Sequence, residues 1–151
     1  MTGVNPDLTI QRATHLPTPS DADFEEWVAA ALESAPVAHE LVVRLVDEAE
    51  SQALNDQYRG QDRPTNVLSF PTDLPPDIDL SLLGDIVICA PVVEREAIEQ
   101  KKAPKAHWAH LTIHGVLHLL GYDHQDDQEA KRMETIECAI LSSLGYANPY
   151  E

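Results

Sequence analysis

Three histidines, His114, His118 and His124, stand as H-x3-H-x2-G-x2-H within HLTIHGVLHLLGYDH, and their type and spacing suit one metal ion. On a helix, His114 and His118 lie one turn apart and about 40° round the axis, so both imidazoles can reach the same ion. Gly121 falls where a helix end needs a residue tolerant of positive φ, and Tyr122–Asp123 then carry the chain back to present His124. Three neutral imidazoles at about 2.0–2.1 Å leave the fourth tetrahedral position open, which is how catalytic zinc sites differ from closed structural ones. One zinc ion per chain is therefore expected, although imidazole also accepts iron, nickel or manganese. Such an ion brings the pKa of its water toward about 7 and polarises a carbonyl or phosphoryl oxygen, which points to hydrolysis.

The neighbouring polar residues are assigned lesser roles. His107 and His110 continue the stripe, but His107 lies about 10 Å along the axis from His114 and cannot share its ion. Both are expected to face solvent or to form a second layer. Asp123, Asp126 and Asp127 are candidates to hold a ligand's remaining N–H, with helix capping as the competing role for the last two. The spacing also matches the H-E-x-x-H-x-x-G-x-x-H pattern of metzincin proteases, yet Gly115 occupies the glutamate position. Without that carboxylate, standard zinc-protease chemistry loses its base.

HGVLHLLGYDH resembles the signature of the YbeY family, bacterial metal-dependent endoribonucleases that act in ribosomal RNA maturation. LNDQYRGQDRPTNVLSFP at 54–71 and GDIVICAPVVERE at 84–96 resemble that family's other blocks in the same order, so the likeness covers about residues 40–145. It implies a mixed sheet with surrounding helices, zinc on His114, His118 and His124, cleavage of single-stranded RNA or rRNA (16S rRNA 3′ end) with a part in ribosome quality control, and a functional Arg59. A guanidinium holds phosphate bidentately and stabilises charge developing on its oxygens, so Arg59 suits that role physically. Arg63, Lys131 or Arg132 are further candidates for phosphate contacts, and Asn66 and Ser69 for facing the cleft. The other readings are a non-catalytic ribosome-assembly factor with a structural metal, bound to ribosomal particles or proteins, and a metalloprotease with a glutamate from elsewhere.

Composition sets the frame. The 151 residues suit one domain spanning 1–151, and 26 acidic against 10 basic residues give a formal charge of −16, which repels nucleic acid at long range. DNA is not an expected partner, and RNA must be won locally; no RNA-recognition aromatic set is evident in the sequence. The first ten residues lack the pattern of a signal peptide, and no run of about 18 uncharged apolar residues occurs, so a cytoplasmic protein without a membrane span is expected. Cys89 and Cys138 lack disulfide-scaffold spacing and read as buried thiols.

The elements that must position these residues read in the order β α β α β β α α α. LTIQRAT is a strand, Ser20 or Asp21 caps a helix, and HELVVRLVDE is a strand covered on both faces. A short helix covers 48–58, TNVLSFP is a strand closed by proline, and DLPPDIDLSLL is a loop. Gly84 reopens a strand, APVVEREAIEQKK is a helix, a third helical stretch runs from about Lys105 to Leu120, and the last helix ends near Leu144. The fold class is α+β: one mixed sheet of about four strands with about five helices around it.

Overall fold

The computed structural model describes residues 7–33, 40–71, 82–122 and 126–150; residues 73–81 of the expected 73–83 loop and His124 with its neighbour Asp123 lie outside them, and Leu82 and Leu83 belong to the following strand, which starts ahead of the expected Gly84. The elements are β1 (Asp7–Ala13), α1 (Asp21–Ala31), β2 (Glu40–Val46), α2 (Glu48–Arg59), β3 (Val67–Pro71), β4 (Leu82–Cys89), α3 (Ala90–Glu99), α4 (Pro104–Leu119) and α5 (Asp127–Ser143). The order and class are those read from the sequence. Ser20 accepts from the Asp23 backbone N–H while the Asp23 side chain accepts from Ser20 N–H, a capping box that starts α1. Asp126 caps α5 by accepting from Glu129 N–H at 2.8 Å, so its role is capping.

The strands lie in the order β1-β2-β4-β3, with β1, β2 and β4 parallel and β3 antiparallel to β4 at the edge. Side chains alternate across this sheet, and the two faces are packed unequally. Leu41, Val43, Leu45, Ile86 and Ile88 face the main core, where Phe24 and Trp27 of α1 meet Trp108 and Ile113 of α4. Phe24 sits edge-on to both indoles, its ring centroid 5.4 Å from Trp27 and 6.1 Å from Trp108. The opposite face carries a smaller cluster of Val46, Leu68, Val87, Cys89 and Val92, with Leu54 of α2 and Phe70 against it. That face is only partly covered. Val42 and Arg44 remain half-buried, so β2 is not enclosed on both sides as its apolar run suggested.

Cys89 is buried as expected, whereas Cys138 is half-buried and its thiol meets Asn148 Oδ1 at 3.3 Å. Among the described residues no helix is long and apolar enough to cross a membrane.

α4 carries the paired histidines, and its approach to the sheet is set by Gly115. A Cβ there would lie 2.9 Å from Ile86 Cγ2 and 3.3 Å from Ile86 Cδ1. Ile86 is fully buried at the sheet centre and has little room to yield. Ser69 Oγ also donates to the Gly115 carbonyl at 3.1 Å, tying β3 to the same turn. Gly115→Ala is therefore expected to cost about 1–3 kcal/mol by overpacking, read as a lower urea midpoint at unchanged slope.

Candidate metal centre and cleft

His114 and His118 project from one side of α4, and their Nε2 atoms approach to 3.0 Å with ring centroids 4.5 Å apart. Two ligands at tetrahedral angles on one zinc ion sit about 3.3–3.4 Å apart, given bonds of about 2.0–2.1 Å. The two nitrogens thus converge at nearly the required spacing. α4 ends with Leu120 at the cap, and Gly121 follows at φ 103°, a conformation that side chains resist, while a Cβ there would touch nothing. Backbone geometry is therefore what calls for glycine just past the end of α4.

The tautomer of His114 is fixed by a residue that local sequence patterns did not single out. Glu137, fully buried on α5, accepts from His114 Nδ1–H, with oxygens at 3.1 and 3.3 Å, which leaves Nε2 as the outward lone pair. His110 Nε2 lies 3.0 Å from the same carboxylate, and Tyr150 Oη donates to it at 2.8 Å. Burial pushes the Glu137 carboxyl up, but the hydrogen bonds from His110 and His114 outweigh it and hold the group at about 2. Burial and the adjacent carboxylate push the Tyr150 phenol up. His110, His114 and Glu137 present ligand atoms within 4.8 Å of one another, so this trio could itself hold an ion. Such a seat would take His114 through Nδ1 and displace the hydrogen bonds that now satisfy Glu137.

Glu137 was legible in principle. Met133, Glu137 and Leu141 are the buried positions of α5, one turn apart, so a lone carboxylate interrupts an apolar stripe. His110 meets the same carboxylate that holds His114. His107 does not face solvent: it is 3% exposed, with Nε2 2.9 Å from Glu96 Oε1. Trp108 and Ala109 beside it are buried too, because this turn of α4 lies against α3 and the core.

Arg59 ends α2, which Gly60 terminates in a left-handed conformation at φ 68°. Together with His114 and His118 it lines a cleft of about 1150 Å³ that also runs past Asn66 and Ser69 of the β3 region. Arg44, deeper in this cleft, is held bidentately by Glu50 at 2.5 and 2.9 Å, and burial opposes only part of the downward pull its guanidinium exerts on the Glu50 carboxyl. Among the described residues Arg59 has no carboxylate partner within ion-pair distance. Arg63 instead lines a smaller pocket of about 210 Å³ shared with Arg59 and Glu96. Lys131 and Arg132 are exposed on α5 and do not line the cleft.

Asn66 lines the cleft but serves the scaffold, since its Nδ2 donates to Glu96 at 3.1 Å and its Oδ1 accepts from Val67 N–H. Burial raises the Glu96 carboxyl, and hydrogen bonds from His107 and Asn66 more than reverse this. A depressed carboxyl contributes stability that is present above its ordinary value of 4.5 and lost as the pH falls through the lower folded value. Glu96→Gln is accordingly expected to flatten that part of the acid limb, seen as a smaller loss of urea midpoint below about pH 4.5 than in the wild type.

One cleft of this mixed-sheet α+β protein thus brings together two converging imidazoles and a guanidinium without a carboxylate partner among the described residues, a set able to hold a metal ion beside an anionic group. Residues 10–145 match the family described as Endoribonuclease YbeY, and the chain belongs to that family. It is thereby one of a family of nucleases acting on RNA in rRNA maturation. The match begins at residue 10, well ahead of the residue-40 onset expected from the motifs. The chain is also similar to TM1509 from Thermotoga maritima, known from a solution structure, at 27% identity and TM-score 0.60 over 91% of each chain.

Proposed function

We propose that the chain, acting as a single domain over residues 1–151, is a zinc-dependent endoribonuclease that cuts single-stranded RNA during maturation of the 16S rRNA 3′ end. A role in ribosome quality control, with ribosomal particles as partners in the cytoplasm, belongs to the same proposal. The observation that carries it is the convergence of His114 and His118 Nε2, backed by buried Glu137, in the cleft that Arg59 lines. His124 is the proposed third ligand. A bound zinc ion would supply Lewis acidity toward a phosphoryl oxygen and a water of lowered pKa.

The chain's own residues account for the remaining work. Glu137 holds the His114 N–H on Nδ1 and keeps Nε2 aimed into the cleft. Arg59 grips the scissile phosphate and stabilises charge that grows on its oxygens as the attacking group adds. Gly115 offers no carboxylate, and its Cα hydrogen points at Ile86, which disfavours the metalloprotease reading.

A second reading is favoured by the −16 charge: an assembly factor with a structural metal that docks on basic ribosomal proteins. Cleavage of single-stranded and duplex RNA by metal-loaded, chelated and zinc-restored protein separates the two. Single-strand cutting that disappears with the chelator and returns with zinc supports the nuclease. A metal-loaded protein that binds ribosomal particles and cuts no RNA on them supports the assembly factor. A 2′,3′-cyclic phosphate on the product would identify the ribose hydroxyl as nucleophile, and a 5′-phosphate would identify water.

A further inference from the structure

Four large hydrophobic side chains are exposed among the described residues: Leu16, Tyr58, Ile98 and Tyr150. Tyr58 alone of these lines the cleft, and it is 59% exposed there. Its position follows from α2. Leu54, one turn earlier, is half-buried against the smaller apolar cluster, and Tyr58 extends that stripe past the covered part of the sheet. The ring is braced by Phe70 of β3, centroids 4.9 Å apart and planes at 64°. It is thus held in place while much of its surface stays in water, an arrangement that lowers the ordering cost of a ligand laid against it.

The charge beside this ring selects the ligand. Arg59 is the next residue and lines the same cleft, without a carboxylate partner among the described residues. Arg44 is committed to Glu50 and adds little net charge. A planar aromatic surface next to one available guanidinium matches a group that is itself planar and carries an adjoining anion, which is the chemistry of a nucleotide.

We propose that Tyr58, braced by Phe70, is a stacking platform for one unpaired base of the RNA strand, whose adjoining phosphate is the one held by Arg59. This rests on the endoribonuclease reading and extends it: the platform takes a nucleobase without reading its identity, because every base presents a π-face. It also supplies a reason for single-strand preference, since a base in a duplex has both faces occupied. The platform further offsets the repulsion between RNA and an acidic chain by an attraction that salt does not screen.

The test measures binding of metal-loaded wild type, Tyr58→Phe and Tyr58→Ala to a labelled, cleavage-resistant 2′-O-methyl phosphorothioate strand. A strand of equal length lacking all bases is the control. Tyr58→Ala is expected to weaken binding to the base-bearing strand about 5- to 150-fold, Tyr58→Phe about twofold or less, and neither to change binding to the abasic strand. Circular dichroism and metal content confirm that the alanine variant is folded. Equal binding by wild type and Tyr58→Ala, or a loss shared by both strands, overturns the platform. If wild type cuts RNA while Tyr58→Ala keeps the same KM, the platform alone fails; if wild type neither binds nor cuts RNA, the nuclease reading fails with it.

Discussion

His114→Ala is expected to remove bound metal and to drop RNA cleavage to the level of the chelated protein. His114 is the residue through which two parts of the site meet: its Nε2 lies 3.0 Å from His118 Nε2, and its Nδ1 donates to buried Glu137. Alanine therefore deletes a proposed ligand and also leaves Glu137 with one donor fewer in a fully buried position. Part of the effect can be separated. Glu137→Gln keeps the volume and the imidazole but offers an amide NH2 toward donors, and loss of such a partner typically lowers metal affinity 10- to 100-fold. The expected order is wild type, then Glu137→Gln, then His114→Ala, read as zinc content after dialysis against a graded chelator and as cleavage rate at saturating zinc. Full metal content and unchanged cleavage in His114→Ala would place the metal elsewhere, and the His110, His114 and Glu137 trio could not be the alternative because it shares the residue.

Arg59→Ala is expected to reduce kcat about 10²- to 10³-fold while leaving zinc content and urea midpoint unchanged. The metal is indifferent because Arg59 sits on α2 and the paired histidines on α4, and the fold is indifferent because the side chain is exposed. Lysine should restore only part of the rate, since a point charge cannot grip two phosphate oxygens as a planar fork does. Rate constants at saturating RNA, compared with KM, give the decisive readout. A change confined to KM would make Arg59 a binding residue and move the stabilisation of charge to the metal alone.

Much of this architecture was legible because local rules and tertiary packing agree. The capping box at Ser20, the turn at Gly121 and the apolar runs of β2 and β4 each announce an element that the fold then uses. What escaped the sequence is long-range. Glu137 reaches His114 across 23 residues, and only the packing of α5 on α4 brings them together. Tyr58 reads as an ordinary helical residue until β3 places Phe70 beside it at the rim of a cleft. Gly115 shows the same limit: its place in the histidine motif correctly signalled the absent protease glutamate, but only the packing reveals that a Cβ there would meet Ile86, so the helix is seated close to the sheet. His107 was misplaced for a related reason. A histidine stripe along a helix looks uniform in sequence, but the turn nearest α3 is sealed off by Trp108, Ala109 and Glu96.

The hydrogen bond from Tyr150 to Glu137 ties the tail formed by residues 148–150 to the buried carboxylate of the candidate metal centre. Asn148 steadies that tail by accepting from Tyr150 N–H, and Lys102 reaches the Pro149 carbonyl from the α3–α4 turn. This turn thus works as a latch, its strike plate the carboxylate that aims His114. Any change to these residues is consequently felt at the Glu137–His114 pair, although none of them belongs to it.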